Sequence, residues 1–305
     1  MEKYNHEHLL IKDGDVDTGT ALNARPTIKI CLYVYNEVKK IGIQKLLILA
    51  MIIFGALFLL GAPYKAEQKI TESTVFVHGY KGTFFSFGFM LHRFENVYEI
   101  GNKILIYYVG KNGEIQSYRL NNDNSGPQLV HVIFEDNRTD FEETAGWLAD
   151  VLASMKSNYA VNSVNLVGHS MGGIVSLKYA MQYQSADFPA VNKIVALGAP
   201  FGGIFSQEYF QIHHDAAAED LKPDSAGLQL LETGEFPENT KVLNLGSTGD
   251  SVAVVESVKT LNTLISEDQI EEIIIEDDEL GHSALHQSEQ IDKIISSFLW
   301  QDDTE

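Results

Sequence analysis

Apolar positions between residues 74 and 300 follow two kinds of pattern. Some form short continuous runs rich in β-branched and aromatic side chains, which are typical of strands. Others recur every three or four residues, which indicates helices with one apolar face. The runs predict strands at 74–77, 103–109, 114–120, 129–134, 164–167, 193–200, 241–246 and 270–276. The helical spacing predicts helices at 84–94, 140–156, 174–183, 225–233 and 289–300.

A glycine-rich segment separates two of these runs. Gly110-Lys-Asn-Gly113 lies between the runs 103–109 and 114–120. Asn-Gly between two strand-like runs is a strong signal for a β-hairpin. The sequence therefore predicts one antiparallel pair at this point in an otherwise parallel sheet.

A long uncharged segment precedes this region. Residues 46–62 contain no charged side chain, and as a helix they would span about 25 Å. Three lysines, Lys39, Lys40 and Lys45, flank the segment on its N-terminal side. The positive-inside rule then keeps residues 1–41 in the cytoplasm and exports residues 65–305. We predict a disordered cytoplasmic tail over 1–41, a single-pass signal anchor over 42–64 in the cell membrane, and an extracytoplasmic domain over 65–305.

Other interpretations of this N-terminal part remain open. The apolar segment could be a buried helix of the domain, or a signal that is cleaved to secrete the protein, although no clear A-x-A site follows it. Residues 1–38 could also reflect a start codon assigned too early.

Charge divides the chain in the same way. Residues 1–65 carry 8 Lys/Arg and 6 Asp/Glu, whereas residues 66–305 carry 14 and 36, a net charge of −22. Such an acidic body repels nucleic acid and anionic surfaces, so we expect no nucleic-acid partner. The only cysteine, Cys31, precedes the apolar segment, so the exported body needs no disulfide.

The main candidate for chemistry is Gly168-His-Ser170-Met-Gly172, a G-x-S-x-G motif between a predicted strand and a predicted helix. A sharp strand-to-helix turn would lift the Ser170 hydroxyl clear of the sheet. The free N–H groups at the start of the helix, beginning with that of Met171, could stabilise a developing negative charge. The alternative is a glycine-rich helix start in which the serine is only a cap.

Together with Gly173, this motif resembles the nucleophile elbow of the α/β-hydrolase superfamily. The resemblance covers about residues 70–300 and is strongest to the uncharacterised membrane-anchored cell-surface hydrolases of Gram-positive bacteria. Small secreted bacterial lipases share the motif order more distantly. The resemblance implies an α/β-hydrolase fold, in which helices flank a mostly parallel central sheet, with a β-hairpin insertion and a short cap.

The same resemblance assigns a second oxyanion donor. The strand 74–77 ends in His78-Gly79-Tyr80, which resembles the oxyanion loop of this superfamily. The family pattern implies that the Tyr80 N–H faces that of Met171, and that His78 braces the loop. The alternative is a plain strand-to-helix turn.

A carboxylate and a histidine follow in the order that this fold uses. Asp250 lies just beyond the strand 241–246, where the superfamily keeps the residue that orients the base, and Glu256 is its nearest rival. His282 follows the last strand in a Gly-His phrase that resembles the family's general base, with His286 as the rival. We expect His286 to be a helix-entry or surface residue.

Residues 201–239 form a long insertion after the Gly-Ala-Pro200 phrase, and at this place the superfamily usually carries a cap or lid. Phe201 and Phe205 could line an acyl pocket, or they could anchor the insertion to the body. His213 and His214 are adjacent and lack a helix-spaced partner, so they are weak metal ligands.

The expected activity is hydrolysis of carboxylic esters by a Ser170–His282–Asp250 triad, with no metal or organic cofactor. An ester or acyl substrate, drawn from lipid or a cell-envelope polymer, would suit a domain held at the membrane through residues 46–62. Three alternatives stay open: an acyltransferase, a thioesterase or peptidase on the same triad, and a non-catalytic surface-binding module.

Overall fold

The computed structural model describes residues 73–122 and 125–301. The predicted tail over 1–41 and the predicted anchor over 42–64 lie outside the described residues, so both stay predictions. Within the described residues, no helix is long and apolar enough to cross a membrane.

Eight strands form one sheet in the order β3-β2-β4-β1-β5-β6-β7-β8. All neighbouring pairs are parallel except β2 and β3. The strands are β1 Ser73–Val77, β2 Asn102–Val109, β3 Ile115–Arg119, β4 Gln128–Phe134, β5 Ser163–His169, β6 Ala190–Leu197, β7 Lys241–Ser247 and β8 Ile270–Ile275. The predicted mostly parallel sheet is confirmed.

The predicted hairpin is the antiparallel pair at the edge of this sheet. Val109 pairs with Ile115 at its closed end, and Gly113 has a φ of 76°, which the turn requires. The Gly110 N–H donates to the Glu114 carbonyl at 2.8 Å and closes the loop.

Helices cover both faces of the sheet. The helices are α1 Phe84–His92, α2 Phe141–Tyr159, α3 Met171–Gln182, α4 Gln207–Ile212, α5 Ala216–Asp220, α6 Ala226–Glu232, α7 Val255–Lys259 and α8 Glu289–Trp300. A π-helical turn, Arg93–Val97, extends α1, and a 3₁₀ turn, His282–Gln287, leads into α8.

The core has two parts because successive side chains of a strand point to opposite faces. Val75 and Val77 of β1 pack in one cluster, together with residues of α2 and α3. Phe76, between them, packs in the other cluster with residues of α1 and α8. The central strands of the sheet are thus buried on both faces, as their continuous apolar runs require.

The insertion over 201–239 contains three short helices, α4, α5 and α6. The sequence predicts only the third, near 225–233. The other two are capped by Ser206 and Asp215, whose side chains accept the N–H groups of Tyr209 and Ala218. Helices of five and six residues are too short for apolar periodicity to predict them.

Candidate active site

Ser170 stands at the turn between β5 and α3, at the carboxyl end of the central strands. Its backbone has φ 55° and ψ −129°, a conformation that residues with a Cβ rarely adopt. The Ser170 N–H donates to the Leu197 carbonyl of β6 at 2.9 Å, which holds the turn against the sheet. Such stored strain is a feature of functional sites, and here it presents one hydroxyl at the end of a strand.

Close backbone contacts around the turn explain the two outer glycines of the motif. A Cβ on Gly172 would lie 2.1 Å from the Val77 carbonyl oxygen, and one on Gly168 would lie 2.3 Å from the Gly172 oxygen. Any larger residue would push α3 away from β1 and β5, so the motif is a packing requirement as well as a sequence pattern.

Asp250 and His282 meet although they are 32 residues apart in the chain. His282 Nδ1 lies 2.7 Å from Asp250 Oδ2, and the Asp250 side chain is fully buried. The other carboxylate oxygen, Oδ1, accepts the N–H groups of Val252 and Ala253, each at 2.9 Å. These three bonds fix the carboxylate in the loop that follows β7.

This pairing determines where the imidazole carries its proton. An ionised carboxylate can only accept, so the Nδ1–H of His282 donates to Asp250 and Nε2 is left as the acceptor. Within the described residues, no hydrogen bond joins Ser170 Oγ to His282. The structure therefore brings together two of the three predicted triad residues by direct contact.

His169 links the serine turn to the histidine loop. Its Nε2 donates to the His282 carbonyl at 3.0 Å, and its ring lies 4.7 Å from the ring of His282. Burial, reinforced by repulsion from His282 and His286, holds the pKa of His169 well below its usual range. A neutral His169 keeps a second positive charge away from the base.

His286 is buried rather than on the surface. Its ring lies 4.7 Å from that of His169, and burial lowers its pKa to about 4. It does precede α8 directly, as a helix-entry residue would. Glu256, the rival of Asp250, is exposed on α7.

The loop after β1 contacts the turn that carries Ser170. A Cβ on Gly79 would lie 2.9 Å from Ser170 Cβ and 3.0 Å from the Met171 nitrogen, so the loop after β1 touches the serine turn. Within the described residues, the N–H groups of Tyr80 and Met171 have no acceptor. Unpaired amides beside a buried hydroxyl are what an oxyanion hole requires, because the charge arrives only during the reaction.

His78 braces this loop through both ring nitrogens. Its Nδ1 donates to the Gly79 carbonyl at 3.0 Å, and its Nε2 accepts the Phe134 N–H at 3.0 Å. This arrangement requires a neutral ring, and burial lowers its pKa to about 4. The predicted bracing contact is thus present.

The two phenylalanines predicted for an acyl pocket have different environments. Phe201 is buried in the core cluster of β1, α2 and α3, as the anchoring alternative expects. Phe205 is 43% exposed. The acyl pocket stays a prediction.

The histidine pair of the insertion has no metal-site geometry. His213 Nδ1 lies 2.7 Å from Lys81 Nζ, and the His213 ring packs against Tyr80 and Tyr209. In the described part of the chain, no group of three His, Cys, Asp or Glu side chains could hold a metal ion.

Comparison with known proteins identifies the family of this chain. Residues 62–302 match the family described as "Alpha/beta hydrolase of unknown function (DUF915)". The chain belongs to this family. The resemblance to α/β-hydrolases predicted from the elbow motif is confirmed.

Solved structures share the fold of this hydrolase. The product of a Listeria innocua gene superposes with a TM-score of 0.63 and 20% identity, over 78% of this chain and 96% of that chain. A protein from Lactobacillus plantarum named as a cell surface hydrolase superposes with a TM-score of 0.56 and 18% identity, over 77% and 91%.

One curated relative matches a smaller part of this chain than the solved structures do. A 1-acylglycerol-3-phosphate O-acyltransferase of Saccharomyces cerevisiae is 26% identical over 137 residues, which are 39% of this chain and 34% of the relative. The chain therefore spans about a third of the length of the curated relative it matches.

Sequence reasoning missed three features of this site. The contacts of His169 and His286 join residues that no motif links. Gly198, with a φ of 56°, backs onto the Asp250–His282 pair. Asp215, in the insertion, bonds the Tyr80 hydroxyl at 2.8 Å. Of these features, only Gly198 had a signal in the sequence, because it is a glycine directly after a strand.

Proposed function

We propose that this alpha/beta hydrolase is a serine hydrolase that cleaves carboxylic esters with Ser170, His282 and Asp250. The observation that carries the proposal is the 2.7 Å contact between His282 and the buried Asp250, at the same end of the sheet as the strained Ser170. A base with a fixed tautomer beside a serine turn is the arrangement that nucleophilic catalysis needs.

The reaction follows from these positions. His282 Nε2 takes the Ser170 proton while Oγ attacks the ester carbonyl, and the new oxyanion accepts the N–H groups of Tyr80 and Met171. The C–O bond to the alcohol breaks as His282 returns the proton to the leaving oxygen. Water then attacks the acyl-enzyme by the same steps and releases the acid. Asp250 stabilises the imidazolium in both halves.

The proposed location is the outer face of the cell membrane, with residues 46–62 as anchor. Two sequence features support it: the uncharged segment itself and the lysines that precede it. Lipids or acylated envelope polymers are then the proposed substrates, because their ester groups lie within reach of a tethered domain.

The test is hydrolysis of p-nitrophenyl esters of increasing acyl length by the full chain in detergent or lipid vesicles. Ser170→Ala and His282→Ala should each lower kcat/KM about 1,000-fold or more. The exposed residues Ser157 and His92 supply matched controls, and Ser157→Ala and His92→Ala should retain full activity. Activity that survives Ser170→Ala would exclude the mechanism.

An acyltransferase is the second candidate, and the partial match to the yeast acyltransferase favours it. The same acyl-enzyme would form, but an alcohol would replace water as the acceptor. Adding glycerol or a lysophospholipid should then divert acyl groups into a new ester, which mass spectrometry detects. An unchanged product ratio at saturating acceptor would leave hydrolysis alone.

A further inference from the structure

Tyr80 contacts the insertion through its side chain while its backbone lies beside the serine turn. The Tyr80 hydroxyl donates to Asp215 Oδ2 at 2.8 Å, across 135 residues of chain. Its ring packs edge-on to His213 with centroids 5.4 Å apart, and a tilted contact joins it to Tyr209. Burial and the bond to Asp215 raise the pKa of the phenol, so it remains a donor at all working pH values.

Asp215 uses its two carboxylate oxygens for two different tasks. Oδ1 accepts the Ala218 N–H at 3.2 Å and caps α5. Oδ2 accepts the Tyr80 hydroxyl, and the Arg138 guanidinium lies 3.8 Å from the same oxygen. The hydrogen bond to the Ala218 N–H fixes the orientation of the Asp215 carboxylate, and the carboxylate in turn binds the Tyr80 hydroxyl.

Backbone bonds tie the same segments together around this contact. The Lys81 N–H donates to the Asn137 carbonyl at 2.9 Å, and Asn137 Nδ2 donates to the Gly82 carbonyl at 2.7 Å. The Ala217 N–H donates to the Arg138 carbonyl at 3.0 Å. The loop after β4 therefore connects the loop after β1 to the insertion, and the Tyr80–Asp215 bond closes this ring of contacts.

We propose that Asp215 is a positioning residue for the oxyanion hole, acting through the side chain of Tyr80 to aim the Tyr80 N–H. The insertion then helps to complete the catalytic site. This inference rests on the proposed function, because it assigns a task to the oxyanion donor of that reaction.

The proposed role of Asp215 sets the loss of kcat expected when its contact with Tyr80 is removed. Removing an oxyanion donor costs about 10²- to 10³-fold in kcat, whereas a donor that loses its aim keeps part of its effect. We expect about a 10-fold loss of kcat, because both the acylation and the deacylation steps pass through the oxyanion. KM should change less than about twofold, since the ground-state carbonyl does not need the aimed donor.

Two variants each remove the Tyr80–Asp215 hydrogen bond. Tyr80→Phe removes the hydroxyl and keeps the backbone N–H. Asp215→Ser keeps an N-cap for α5, since serine caps well, but leaves nothing to reach Tyr80. Ser225→Ala is the control, because Ser225 caps α6 in the same insertion through the Leu228 N–H and, among the described residues, forms no hydrogen bond with the loop after β1.

The experiment measures kcat, KM, the pH profile of kcat/KM and the melting temperature of each variant in the full chain. Tyr80→Phe and Asp215→Ser should each lower kcat about 10-fold, leave the shape of the pH profile unchanged, and fail to add in the double variant. Ser225→Ala should lower the melting temperature with kcat within about twofold of the parent. Full kcat in Tyr80→Phe, or multiplied losses in the double variant, would overturn the proposal.

Amide hydrogen exchange decides the point independently of activity. Both variants should speed exchange in the peptide that covers residues 79–83, whereas Ser225→Ala should not. If the parent protein hydrolyses no ester, the proposed function fails, and the exchange data still test the positioning contact. Unchanged exchange over 79–83 in both variants would contradict it.

Discussion

Gly198 shows how one residue supports the proposed catalytic pair without taking part in the chemistry. It follows β6 with a φ of 56°, in the region that disfavours a Cβ. A Cβ there would lie 2.7 Å from Leu285 Cδ1, 3.2 Å from Asp250 Oδ2 and 3.5 Å from His282 Nδ1. Because Gly198 has no side chain, the Asp250 carboxylate and the His282 imidazole have room to approach each other.

Gly198→Ala should lower kcat/KM by about 10-fold or more, because the methyl group crowds the loop of His282 and strains the backbone by about 1–2 kcal/mol. Gly146→Ala is the control, since its Cβ would meet only the Tyr183 hydroxyl at 3.7 Å. Ester hydrolysis and thermal unfolding of both variants provide the check. A fully active Gly198→Ala would show that the pair tolerates this crowding.

Between elements, a buried ion pair joins the first and last helical segments. Arg93, in the π-helical turn after α1, forms a salt bridge with Asp292 of α8, whose side chain is fully buried. Arg93 Nη2 also donates to Asp292 Oδ1 at 2.9 Å and to the His286 carbonyl at 3.3 Å. Tyr98 donates its hydroxyl to Asp292 Oδ2 at 3.0 Å. The Arg93–Asp292 pair thus connects the end of α1 with α8 and, through Arg93, with the turn that carries His282.

Asp292→Ala should lower the free energy of unfolding by about 3–5 kcal/mol, because it leaves the Arg93 guanidinium without its partner. Replacing both residues, as Arg93→Met with Asp292→Leu, should recover much of this loss. Glu219→Ala removes an exposed ion pair with Lys222 and should cost less than about 1 kcal/mol. Urea unfolding measures all three, and a loss of similar size in Asp292→Ala and Glu219→Ala would contradict this account.

The strands and helices were predictable wherever the buried residues form a continuous run or recur with a regular period. All eight strands and the longer helices α1, α2, α3 and α8 follow from apolar patterns and the hairpin signal, because the central strands are buried on both faces and these helices pack on them. The short helices α4, α5 and α7 were not predicted, since five or six residues are too few for apolar periodicity to show. The π-helical turn after α1 was also missed, and the contact of its Arg93 with Asp292, 199 residues away, has no local sequence signal.

The candidate site was predictable in part for a related reason. Ser170 stands in a local motif, and Asp250 and His282 follow from chain order in the resembling family. The bond of Tyr80 to Asp215 and the contacts of His169 with His282 join distant segments of chain. No local pattern encodes such contacts, so only the folded arrangement reveals them.

At the scale of the whole molecule, the described residues include four buried histidines that are held neutral. Burial lowers the pKa of His78 to about 4, of His131 to about 3 and of His286 to about 4, and holds that of His169 well below its usual range. In the unfolded chain the pKa of each of these histidines is about 6.5. Below that pH the unfolded chain binds more protons, so stability is complete above about pH 6.5 and is lost as the pH falls toward 4.

Between pH 7 and pH 5.5, each of these histidines should cost about 1 kcal/mol of folding free energy. The midpoint of urea unfolding should therefore fall markedly across this range. His131→Leu should reduce the loss by about 1 kcal/mol, because both ring nitrogens of His131 are buried without a partner within the described residues. An unfolding midpoint that is equal at the two pH values would contradict the neutral, buried state of these rings.

The most direct test of the central claim is the site at which a fluorophosphonate probe reacts. Peptide mass spectrometry of the labelled full chain should find one adduct, on Ser170, and Ser170→Ala should take up no label. His282→Ala should label at least about 100-fold more slowly, because the hydroxyl then lacks its base. Labelling at another residue, or labelling that persists in Ser170→Ala, would contradict a Ser170 nucleophile activated by His282 and Asp250.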